Sequence, residues 1–142
     1  MDPKYQHLKL KILPGEFKYV LFPDDASFKA AFPKLCNLAL ETEPFFIFRS
    51  SIDRSAIIPS TVELPEQKPE QKIEPGWIGI RISGDMPFGT VEGLIGTITS
   101  ALKTEGLGTC VISTYLTDFF FVRKKNLELA RQTLERAGWE FE

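Results

Sequence analysis

Side chains suited to catalysis or metal binding are scarce in these 142 residues, which include one histidine and two cysteines. His7 precedes strand-like residues near the start of the chain and reads as an ordinary surface residue, so no nucleophile–base pair is built around it. Cys36 and Cys110 lie far apart without CxxC spacing, which points to free thiols rather than a zinc site or a disulfide framework. No apolar run approaches the roughly 20 residues needed to span a bilayer, and no charged-then-apolar leader opens the chain. A cytoplasmic protein without membrane contact is expected. A dominant charge is missing as well: 17 basic against 19 acidic side chains leave a net charge of −2, too weak a field to hold a nucleic-acid backbone. The cluster Arg123-Lys124-Lys125 reads as a solvated surface beside a helix start. No motif calls for a cofactor, and the expected class is non-enzymatic.

Apolar residues, by contrast, are plentiful. At 43% hydrophobic with twelve phenylalanines, the chain can build the core of one domain or of two small units. Alternation at Leu8, Leu10 and Ile12, then at Phe17, Tyr19 and Leu21, around Pro14-Gly15 predicts a β-hairpin. Phe28, Phe32, Leu35, Leu38 and Leu40 recur at mixed spacing across Pro33, which predicts a short or broken helix. Phe45 to Phe48 and Ser55 to Ile58 predict a strand pair ended by Pro59. From Pro59 to Pro75 the near-repeat Pro65-Glu66-Gln67-Lys68, Pro69-Glu70-Gln71-Lys72 has the composition of a linker.

Beyond it, Trp77, Ile78, Ile80 and Ile82 predict a strand, and Ser83 to Gly89 a loop. Val91, Leu94, Ile95, Ile98, Ala101 and Leu102 then repeat at spacings of three and four, the mark of a helix with one buried face, closed at Gly106. Thr109 to Thr114 and Phe119 to Arg123 predict an antiparallel pair. Leu127, Ala130, Leu134 and Ala137 predict a second amphipathic helix closed at Gly138, with Trp139 to Phe141 returning as an edge strand. The order βαββαβ defines an α+β, ferredoxin-like arrangement: an antiparallel four-stranded sheet with both helices on one face.

The glycines at 84, 89, 93 and 96 match neither GxGxxG nor GxxxxGK[ST]. Gly93 and Gly96 fall inside the predicted helix, where close packing on a sheet explains them. Two readings stand for Ser83-Gly84-Asp85: a capped turn, or the lip of a site where amides at the helix start near Val91 attract a carboxylate. Asp118 is likewise either a turn aspartate bonding its own backbone or the partner of a ligand's ammonium group. Phe119-Phe120-Phe121 reads as core and interface.

Ile112-Ser113-Thr114-Tyr115-Leu116-Thr117-Asp118-Phe119, with Leu13-Pro14-Gly15-Glu16-Phe17, resembles the small ACT-domain proteins related to cytosolic arginine sensors and aspartokinase regulatory domains. Gly76 to Ile82, Pro87-Phe88, Gly93-Leu94 and Ala137-Gly138 extend the resemblance over most of residues 8–139. It implies a reduced ACT-like half at 8–60, a linker at 61–75 and a complete ACT domain at 76–142. It also implies an amino-acid ligand held between ACT units by Gly93, Leu94 and Ile95, by Thr114, Tyr115 and Asp118, and by Ser55 of the first half. The chain departs from arginine-sensing relatives in carrying Val91 where they place an acidic residue, which speaks against arginine. The insertion Leu64 to Lys72 is a further departure. A homodimer is implied too. The expectation is a non-catalytic, amino-acid-sensing regulatory module; the alternative is an interaction module that keeps the fold without the ligand.

Overall fold

The structure, a computed structural model, describes residues 1–40, 44–65, 68–89 and 91–142. In chain order its elements are β1 (Lys9–Ile12), β2 (Phe17–Leu21), α1 (Asp25–Asn37), β3 (Phe46–Arg49), β4 (Arg54–Pro59), β5 (Lys72–Ser83), α2 (Leu94–Thr104), β6 (Cys110–Ser113), β7 (Asp118–Arg123) and α3 (Leu127–Arg136). They form two compact units: a split unit of Met1–Pro14 with Trp77–Glu142, and an inserted unit of Gly15–Gly76. This division differs from the expected 8–60, 61–75 and 76–142, and strand pairing explains why.

In the split unit β5 lies between β1 and β7, and β6 pairs with β7, all antiparallel. The period of two sends Ile78, Ile80 and Ile82 of β5, Phe120 and Val122 of β7, and Leu10 of β1 to one face. There they meet Leu94, Ile98 and Leu102 of α2 and Ala130 and Leu134 of α3. Leu94, Ile98 and Leu102 are each at most 1% exposed, so each contributes about 1.5–3 kcal/mol of burial. This is the expected ferredoxin-like sheet with both helices on one face.

Its fourth strand is a correction. The hairpin predicted around Pro14-Gly15 does not form: β1 pairs with β5, Leu10 opposite Ile82 and Ile12 opposite Ile80, while β2 pairs with β4. Alternation reveals a strand but not its partner, and Leu8 and Leu10 are buried beneath the helices of the split unit. The segment expected as the edge strand supplies a single parallel bridge from Phe141 to Leu10. Trp139 instead enters the core, stacked on Tyr5 at 6.0 Å.

The inserted unit is βαββ, with strand order β3-β4-β2. Val20, Phe22, Ala56 and Ile58 pack against Phe28, Ala31, Leu35 and Leu38. Helix α1 runs unbroken through Pro33, contrary to expectation. Pro33 and Lys29, whose carbonyl loses its helical partner at proline, both lie on the exposed face of the helix, where the lost bond costs less than it would in the core. Asp24 caps the helix, accepting from the Ser27 amide at 2.7 Å. The expected linker is also part of this unit: Val62 and Leu64 are buried in its core, Ile73 packs against it, and β5 already begins at Lys72. Glu66 and Gln67 of the near-repeat lie outside the described residues. No described helix is long and apolar enough to cross a membrane.

Candidate functional site

Helix α2 begins at Leu94, three residues later than the periodicity predicts, because Gly93 is its N-cap at φ 74° in the left-handed region. A Cβ there would stand 3.2 Å from the Tyr5 hydroxyl, which donates to the Glu92 carbonyl. Nearer the start of the same loop, His7 Nε2–H donates to the Asp85 carbonyl at 3.0 Å. The approach to α2 is therefore tied down by the N-terminal segment. Among the described residues no side chain caps this helix, so the amides of Leu94, Ile95 and Gly96 have no partner within it and carry its partial positive charge.

Beside this helix start lies a cavity of about 200 Å³, whose lining includes Met86, Phe88, Val91, Ile95, Thr114 and Asp118. Asp118 opens β7 opposite Ser113, on the face that α2 covers. It is only 8% exposed, and its carboxylate has no hydrogen bond or ion pair among the described residues. A carboxylate withdrawn from water without a counter-charge is costly, and an ammonium group in the cavity would offset that cost. The turn after β6 is braced from within: Thr114 Oγ1–H donates to the Thr117 carbonyl at 2.9 Å, and Thr117 Oγ1–H to the Ile82 carbonyl at 2.7 Å. At the mouth, Phe88 and Tyr115 stack at 4.8 Å and 8°, both largely exposed.

Four of the residues expected at a site, Ile95, Thr114, Tyr115 and Asp118, line this one cavity. Gly93 and Leu94 do not: Gly93 is the N-cap and Leu94 is core. Ser55 sits on β4 of the inserted unit, where its hydroxyl donates to Asp53 Oδ2 at 3.3 Å. The packing explanation for Gly96 fails, since nothing lies within 4 Å of a Cβ built there. Tyr5, Met86 and Phe88 were missed; Tyr5 in particular is far from the site in sequence and carries no local signal. A second cavity, about 610 Å³, lies in the inserted unit beside Phe28, Phe32 and Ile47. Its acidic group, Asp25, is already paired with Arg49 and Arg54, whose hydrogen bonds hold its carboxyl below the usual range. Among the described residues no group of three or more histidine, cysteine, aspartate or glutamate side chains is placed to hold a metal ion.

A family model described as ACT domain matches residues 72–136, from the start of β5 to the end of α3. That stretch is similar to the ACT domain. A crystal structure of a protein from Agobacterium tumefaciens is similar over 96% of this chain and 92% of its own, at 26% identity and a TM-score of 0.75. The regulatory subunit of aspartate kinase from Thermus thermophilus, in its ligand-free form, shares the fold at 10% identity and a TM-score of 0.61, over 90% of this chain and 95% of its own. Aspartate kinase from Clostridium acetobutylicum does so at 14% identity and a TM-score of 0.61, over 92% of this chain and 34% of its own. No curated protein matches the sequence. At 10% and 14% identity, the two aspartate kinase structures show a likeness of fold.

Proposed function

We propose that this protein is a non-catalytic sensor of the ACT type that binds a free amino acid in the cavity between the start of α2 and β7, and works as a homodimer. The observation that carries the reading is Asp118: a buried carboxylate without a partner, lining a cavity that Ile95 at the uncapped helix start also lines. The two ends of an amino acid match this pair, ammonium to Asp118 and carboxylate to the amides of the first turn. Binding would then bias an equilibrium between conformations or assemblies, which is how a ligand regulates without chemistry.

A thermal-shift screen of the twenty amino acids tests the reading. A true ligand at 100 times its Kd stabilises the fold by about 2.7 kcal/mol, and Asp118→Asn, nearly isosteric, abolishes the shift while the protein stays folded. Silence from all twenty sinks the proposal. One observation favours the second reading, an interaction module without a ligand: Phe88, Tyr115 and Leu116 at the cavity mouth are 68%, 71% and 71% exposed. Exposed apolar clusters of this kind mark contact surfaces.

A further inference from the structure

Resting on the amino-acid reading of the cavity, we infer that its ligand carries an uncharged, apolar side chain. Asp118 is the one charged side chain in the lining among the described residues, and the ligand's ammonium group consumes it. Against it stand Met86, Val91 and Ile95, none of which offers a charge or a strong hydrogen bond. Of the hydroxyls that line the site, those of Thr114 and Thr117 are already spent as donors on backbone carbonyls, and those of Ser113 and Tyr115 belong to exposed residues at its rim. Glu92 is exposed and does not line the cavity. A carboxylate, ammonium or guanidinium on the ligand's side chain would be withdrawn from water with no counter-charge, whereas an aliphatic or thioether chain buries apolar surface on both sides. Size agrees with chemistry: about 200 Å³ falls below the roughly 300–1,000 Å³ of sites that take drug-sized ligands.

Isothermal titration of the full chain with leucine, methionine, aspartate, lysine and arginine decides the matter. Leucine or methionine is expected to bind about tenfold or more tighter than any of the charged three. Equal or tighter binding of a charged amino acid overturns the inference and leaves the amino-acid site standing. Binding of none of the five, with none of the other amino acids shifting the melting temperature, removes both. Val91→Glu supplies a second arm, since Val91 is only half-buried and the change sets a carboxylate in the apolar wall. Lysine is expected to gain about tenfold relative to leucine in that variant; an unchanged order of affinities shows that the wall does not set selectivity and overturns the inference.

Discussion

Asp24 shows how much one side chain organises locally. It accepts hydrogen bonds from the Ser27 amide and hydroxyl and pairs with Lys68 at 3.1 Å, and these contacts, the amide first, hold its carboxyl down to about 2. A carboxyl depressed on folding stabilises the native state above its unfolded value, near 3.9, and loses that contribution as pH falls through about 2. Asp24→Asn keeps the cap geometry but not the charge. Its melting temperature is therefore expected to lie below that of the natural protein at pH 6, with the gap closing between pH 4 and 2. A gap independent of pH would show that the charge contributes nothing. The sequence made some such residues legible and hid others. Asp118 drew notice through its place after the strand and through the resemblance, and it lines the cavity. Tyr5 and His7 anchor the loop from positions more than 75 residues away, a relation no local pattern encodes.

Elements were legible where their partners are near in sequence. The stripe at Leu94, Ile98 and Leu102 marked α2, and β6 with β7 paired as the four-residue connection required. Helix ends were less so, because the 3.6-residue period does not distinguish a first turn from the approach to it. Gly93 and Gly96 looked alike in sequence but differ in the structure: Gly93 sits at φ 74°, whereas Gly96 is absent from the positive-φ glycines and has open space where a Cβ would go. Gly96→Ala is accordingly expected to stabilise the protein by about 0.5–1 kcal/mol, read from the urea midpoint at unchanged slope. Gly93→Ala is expected to lower the midpoint, since alanine resists the left-handed region and its Cβ crowds Tyr5. If Gly96→Ala is the more damaging of the two, the assignment of N-cap and helix interior is wrong.

At the scale of the molecule, chain connectivity misled where composition did not. The stretch from Gly76 to Glu142 reads as a complete βαββαβ unit, yet the sheet it builds takes its fourth strand from the other end of the chain. Tyr5, Leu8 and Leu10 belong to that core and are 2%, 1% and 0% exposed. At about 1.5–3 kcal/mol for each buried side chain, their loss removes about 5–9 kcal/mol, comparable to the roughly 5–15 kcal/mol by which a domain is stable. Without β1 the matching edge of β5 is also left unpaired, a template for aggregation. A fragment of residues 76–142, the domain that sequence alone delimits, is therefore expected to show no cooperative unfolding and to aggregate, while the full chain unfolds in a cooperative transition. Adding a synthetic peptide of residues 1–14 in excess should restore part of the native circular dichroism, because it supplies the missing strand and the Tyr5 and His7 anchors. A fragment that folds alone, as stable as the full chain, would show that β1 is an accessory to the sheet rather than one of its four strands.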